Sequence, residues 1–184
     1  MPPRIIINSL PKAGTNMVAK LLDLAGLRWN HVCLDGRLIG RATPWVRLWR
    51  KMSQLSSGEV MVGIGAPVSV PKQLIENYFE RLEPNTYIKA HVGYTSAIVR
   101  LAEKHDIRPI IIIRDPRDVI VSQVHYVMKS PKHFLHRAFS ELASDEQRMD
   151  AAIDGGFFGD TFLESIRARC ISIDVWLQSS RSVT

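Results

Sequence analysis

The residues best suited to chemistry lie in Ile5-Ile6-Ile7-Asn8-Ser9-Leu10-Pro11-Lys12-Ala13-Gly14-Thr15-Asn16-Met17. An apolar, β-branched run breaks at Pro11, passes through a glycine turn and enters apolar positions at Met17, Leu21, Leu22 and Leu24, which predicts strand, loop, helix. Backbone N–H groups at such a helix start, together with the positive end of the helix dipole, favour an anion. Lys12 adds a mobile point charge, Gly14 permits close approach of the backbone, and the Thr15 hydroxyl can donate to a phosphate oxygen. The nucleoside-triphosphate pattern GxxxxGKS/T is absent, because here the lysine precedes the glycine in a shorter loop.

A second capable group follows the apolar run Ile110–Ile113. Arg114 is expected at the carboxyl end of that strand, Asp115 as the N-cap of a helix, Pro116 at its first position and Asp118 in its first turn. Ser122 then falls one turn beyond Asp118 on the same face. Ligands of open parallel sheets bind outside the strand carboxyl ends, so the Lys12 loop and the Arg114 turn are expected to line one site for a ligand with two separated phosphates. Between them, Thr86–Lys89 reads as a short strand whose end presents His91, with Lys89 two residues before it. Neutral imidazole can accept a hydroxyl proton near pH 7.

Together these stretches resemble the sulfotransferases that use 3′-phosphoadenosine 5′-phosphosulfate (PAPS). Pro11-Lys12-Ala13-Gly14-Thr15 is similar to the family's PKSGT-type loop, with Ala13 for serine, and Arg114, Asp118 and Ser122 match its RxxxDxxxS segment in spacing. Tyr87-Ile88-Lys89-Ala90-His91 resembles the KTH segment. The resemblance implies that Lys12, Ala13, Gly14 and Thr15 hold the 5′-phosphosulfate of the cofactor, that Asn16 and Met17 also bind the cofactor, Met17 packing on the adenine, and that Arg114 and Ser122 hold its 3′-phosphate. It further implies His91 as general base, with Lys12 and Lys89 as catalytic cations and Ser122 as a restraint on Lys12. The implied reaction moves a sulfuryl group from PAPS to a hydroxyl or amine of a small-molecule, lipid or glycan acceptor, leaves adenosine 3′,5′-bisphosphate (PAP), and needs no metal. Two departures stand out. Met17 occupies the place of a tryptophan that stacks on adenine in many relatives, and the chain stops at Thr184, before the basic, glycine-containing segment that closes over the 3′-phosphate in the family. A truncated form is expected, or a compact variant closed in another way, for instance by a second subunit in a homo-oligomer. A phosphate-loop kinase and a non-catalytic binding protein derived from a sulfotransferase remain the alternatives.

The elements that must position these groups alternate along the chain, which predicts an α/β fold: a phosphate-loop-like open parallel sheet with helices on both faces. Strands are expected at about 4–10, 59–65, 86–89 and 109–113, and helices at about 15–26, 71–82, 95–105 and 115–129. Residues 28–44 read as irregular, Ser144 and Gln147 as a capping box, and Thr161 as the cap of a last helix reaching about Gln178. His125 and Tyr126 lie one turn past Ser122, where either a pocket border or helix packing accounts for them, whereas His31, His105, His133 and His136 read as structural. Trp45, Leu48, Trp49 and Met52 share one face of a short helical pattern, which suits packing on the sheet better than an acceptor lid or a membrane surface.

At 184 residues and 46% hydrophobic, residues 1–184 are expected to form a single domain. Two cysteines are too few for a disulfide framework, and no run has the length of a membrane span, so a cytoplasmic location is the default. Residues 1–58 hold 9 Lys+Arg against 2 Asp+Glu, whereas the remainder holds 15 against 16. A polyanionic cofactor explains part of this excess. Nucleic acid does not, because the basic residues form no continuous run and no nucleic-acid motif accompanies them. No His, Cys, Asp or Glu group has metal-ligand spacing.

Overall fold

A computed structural model of the protein describes residues 2–35, 58–159 and 161–181. The elements begin with β1 (Arg4–Ser9), α1 (Thr15–Leu24), β2 (Arg28–Leu34), β3 (Glu59–Val62), β4 (Val68–Pro71), α2 (Lys72–Glu80) and β5 (Thr86–Ala90). They continue with α3 (Ser96–Lys104), β6 (Ile107–Ile112), α4 (Pro116–Met128), α5 (His136–Ser140), α6 (Asp145–Asp154), β7 (Gly156–Phe158), β8 (Thr161–Leu163) and α7 (Ile166–Arg181). The helical pattern at 44–52 lies outside the described residues.

β1, β2, β5 and β6 form a parallel sheet in the order β2-β5-β1-β6. Successive residues of a strand point to opposite faces, and the apolar run of β1 serves both. Ile6 packs with Ile88 beneath Ile75 and Phe79 of α2, Ile98 and Leu101 of α3 and Trp176 of α7. Ile5, Ile7 and Tyr87 pack on the other side against Val18, Ala19 and Leu22 of α1. The sheet is therefore flanked on both faces, as the alternating pattern predicts. Pro109 pairs with Ile6 from β6, at an edge of this sheet, where the absence of an N–H interrupts no further ladder.

Three expectations at the level of elements need correction. Residues 28–34 are not irregular but form β2, which pairs with β5 and shifts register between Trp29 and Cys33. The strand expected at 59–65 is present as β3 but ends at Val62: Gly63 and Gly65, both with positive φ, turn the chain into β4, an unforeseen strand that pairs with β3 as an antiparallel hairpin. Thr161 does not cap a helix: it pairs with Phe158 in the β7–β8 hairpin, and the Ser165 hydroxyl accepts from Ala168 N at 3.2 Å to open α7 instead. The capping box at Ser144 and Gln147 is present, with Gln147 N donating to the Ser144 hydroxyl and Ala143 N to the Gln147 side chain. Asp115 caps α4 through Arg117 N, with Pro116 in the first turn.

One buried amide fixes the strand ends that matter for the site. Asn8, with no exposed surface, donates from Nδ2 to Val92 O and accepts Val92 N at Oδ1, both at 3.0 Å, while Trp176 Nε1 adds a 3.2 Å bond to the same carbonyl. The exit of β5 is thereby tied to β1 one residue beyond His91. Asn8→Ala removes both bonds and leaves Val92 N–H without its acceptor in the interior. A loss of about 2–3 kcal/mol in unfolding free energy is expected from urea titration.

Candidate active site

Pro11 breaks β1, and the chain turns through Lys12 at φ 71 and Gly14 at φ 109 before α1 begins. Both residues occupy the left-handed region, which Gly14 reaches freely and Lys12 only at a cost in strain. The turn is held by Ala13 N donating to Leu10 O at 3.1 Å, by the Ser9 and Thr15 hydroxyls 2.6 Å apart, and by Arg114 Nη1 donating to Lys12 O at 3.0 Å. No side chain caps α1, so its first N–H groups are left for an anion.

The carboxyl ends of β1, β2, β5 and β6 open into a cavity of about 710 Å³. Of the expected site residues, Lys12, Gly14, Thr15, Asn16, Met17, Lys89, His91, Arg114 and Ser122 all line it. Ala13 does not line it: its side chain is buried against Leu10, Ile64 and Val119, so only its backbone belongs to the loop. Met17 is 66% exposed at the cavity margin. Among the described residues the wall carries Lys12, Lys89, Arg114, Lys132 and Arg169 against Asp35, five cations to one carboxylate, a donor set suited to a polyanion.

Lys89, Lys12 and Arg114 have defined partners. Lys89 Nζ donates to Asn16 Oδ1 at 3.0 Å and stands 4.2 Å from the Trp29 ring centroid. Lys12 Nζ lies 4.1 Å from the ring centroid of Tyr126. No hydrogen bond joins it to Ser122 among the described residues. Arg114 Nε stands 3.6 Å from Asp118 Oδ2, so the arginine meets the loop carbonyl with one side of its fork and Asp118 with the other.

His91 is half-buried, and its Nδ1 lies 2.9 Å from Ser9 O. A carbonyl oxygen can only accept, so Nδ1 carries the proton and the lone pair of the neutral ring is on Nε2. Burial holds the imidazole below its ordinary value of 6.5, partly opposed by the bond to Ser9 and by Asp35, with Lys89 acting in the same direction as burial. The ring is therefore neutral, with a defined tautomer, at neutral pH.

Several lining residues escape notice in the sequence. Cys33 and Asp35 enter because β2 exists, and the Gly63–Ala66 segment enters because of the β3–β4 hairpin. Burial, with Asp35 beside it, pushes the Cys33 thiol up to about 11, which leaves it a poor nucleophile. His133, expected to be structural, lines the cavity and stacks on Phe134 with centroids 4.5 Å apart. Tyr126 lines it as well, while His125 points to solvent. Arg169, only 1% exposed, reaches the wall while donating to Gln123 Oε1 at 2.8 Å and Ala152 O at 2.7 Å. Among the described residues no group of three or more His, Cys, Asp or Glu gathers to hold a metal, and no helix is long and apolar enough to cross a membrane. Both cysteines are free thiols.

A glycine-containing turn after the first strand, an arginine turn after the adjacent strand and a histidine at the end of a third strand line one cavity at the carboxyl edge of an α/β parallel sheet, where such folds bind ligands. The particular family follows from comparison: the chain belongs to the sulfotransferase family, whose domain model matches residues 2–182. Its fold is similar to that of mouse sulfotransferase SULT7A1, solved in complex with PAP, at a TM-score of 0.54 and 15% identity. That match covers 97% of this chain and 48% of the mouse chain, so the protein spans about half the length of the structure it resembles. No curated protein matches it.

Proposed function

We propose that this chain binds PAPS and transfers its sulfuryl group to a hydroxyl or amine of a small-molecule, lipid or glycan acceptor. The observation that carries this reading is the His91 tautomer: with Nδ1 committed to Ser9 O, Nε2 is a base on the wall of the same cavity that holds Lys12 and Arg114. Bound, PAPS supplies the sulfuryl group, whose sulfur bonds the acceptor oxygen or nitrogen as its bond to the 5′-phosphate oxygen breaks. His91 Nε2 takes the acceptor proton. Lys12 and the α1 N–H groups face the negative charge that collects on the departing phosphate, and Lys89 adds positive charge from the β5 side. Arg114 and Ser122, both on the wall, serve the 3′-phosphate. Met17, exposed at the margin, offers a polarizable sulfur to the adenine face. Residues 1–184 act as one domain in this reading, in a cytoplasmic setting.

Calorimetric titration with PAP tests the cofactor half. Saturable binding that ATP does not match is expected, and Arg114→Ala should weaken it by about tenfold to a hundredfold, the worth of a hydrogen bond to a charged group. ATP binding as tightly would favour the phosphate-loop kinase alternative. PAP binding with no sulfated product from any acceptor would favour a non-catalytic binding protein.

A further inference from the structure

The buried face of α4 is formed by Val119, Ile120, Gln123, Val124 and Val127, and Tyr126 is not on it. The residue is 47% exposed, and among the described residues its ring meets the Lys12 ammonium, 4.1 Å from the centroid, and the His133 ring, edge-on at 5.7 Å. An aromatic face attracts a cation through its quadrupole, and a long lysine side chain otherwise samples many rotamers. Lys12 is thus held at both ends, its carbonyl by Arg114 just before α4 and its ammonium by Tyr126 in the last turn of that helix. Ser122 and Asp118, the polar residues one and two turns before Tyr126, do not bond the ammonium among the described residues.

Resting on the reading of Lys12 as the cation that serves the departing phosphate, we propose that Tyr126 is the positioning residue for Lys12. Its ring face confines the ammonium to the cavity wall before ligand binds. The phenolic hydroxyl plays no part: the face alone is required. Phenylalanine should therefore substitute for tyrosine, and leucine should not, although leucine keeps an apolar side chain of similar bulk at a half-exposed position that the fold does not need.

The test observes the lysine directly. In the free chain of residues 1–184, with lysine side chains isotopically labelled and Lys12 assigned through Lys12→Arg, the Lys12 Cε protons are expected upfield of the other lysines, under the ring current of Tyr126. Tyr126→Phe should keep that shift and Tyr126→Leu should abolish it, with both variants melting close to the parent. In turnover, Tyr126→Leu is expected to lower kcat by about tenfold with little change in acceptor KM, and Tyr126→Phe to restore most of the loss. A Lys12 signal at the ordinary lysine position in the parent, or equal losses in the leucine and phenylalanine variants, overturns the proposal. Failure of the underlying reading looks different: a chain that shows the ring-current shift but forms no sulfated product keeps the cation–ring assignment and loses the enzymatic one.

Discussion

His91→Ala is expected to lower turnover by about 10²–10⁴ while PAP binding stays close to that of the parent. The split follows from what the ring touches. Its Nδ1 proton is spent on Ser9 O, and its remaining nitrogen is the only basic lone pair the ring offers to the cavity. Because burial depresses the imidazole, kcat/KM should rise with pH through a midpoint below 6.5 and then stay level, rather than fall off at neutral pH. Linkage gives a second observable of the same group. The unfolded chain binds a proton at this histidine more readily than the folded one, so stability is fully present above 6.5. It is lost as the pH falls from there to the lower folded-state value, and does not change further below it. His91→Ala should flatten that acid limb. A variant with undiminished turnover, or a pH profile whose midpoint does not move on substitution, would remove His91 from the reaction.

The parts of this arrangement that were legible in the sequence are those whose signals are local. An unbroken isoleucine run, a proline and a glycine spell β1, the loop and α1 within a dozen residues, and Asp115-Pro116 marks the start of α4 by cap chemistry alone. β2 was illegible because its cues conflict: His31 sits at φ 60, the register shifts after Trp29, and exposed and half-buried positions do not alternate strictly. The β7–β8 hairpin was hidden for a similar reason. Gly155, Gly156 and Gly159 all adopt positive φ and fold the chain back, so that Thr161, a good cap in isolation, becomes a strand residue. Arg169 could not be found at all by local reading. Its burial depends on Gln123 and Ala152, 46 and 17 residues away, and an arginine in a helix with this spacing reads as a solvated side chain. The Tyr126 contact lies between these cases: the helix spacing places it on the face of Ser122, but its partner is 114 residues earlier.

Lys12→Ala is expected to cost about 10²–10³ in the rate of sulfuryl transfer, the usual loss when one donor to developing negative charge is removed. PAP should still bind, because the uncapped N-terminus of α1 and the Arg114 guanidinium remain, and because Arg114 grips the backbone of residue 12 rather than its side chain. Alanine would have to keep the left-handed φ of 71 that this grip enforces, so a glycine at the same position is the better companion: it relieves the strain yet still lacks the ammonium. If the rate depends on charge alone, Lys12→Gly and Lys12→Ala should be equally slow in single turnover, whatever their difference in thermal stability. Arginine at position 12 should not restore the rate, since a broad planar guanidinium cannot take the place of a compact ammonium that stands 4.1 Å over a ring and must swing to a single oxygen. A Lys12→Ala chain that lost affinity for PAP in proportion to rate would show that the lysine binds ground state and transition state alike, and the charge on the departing phosphate would then be met by α1 and Lys89.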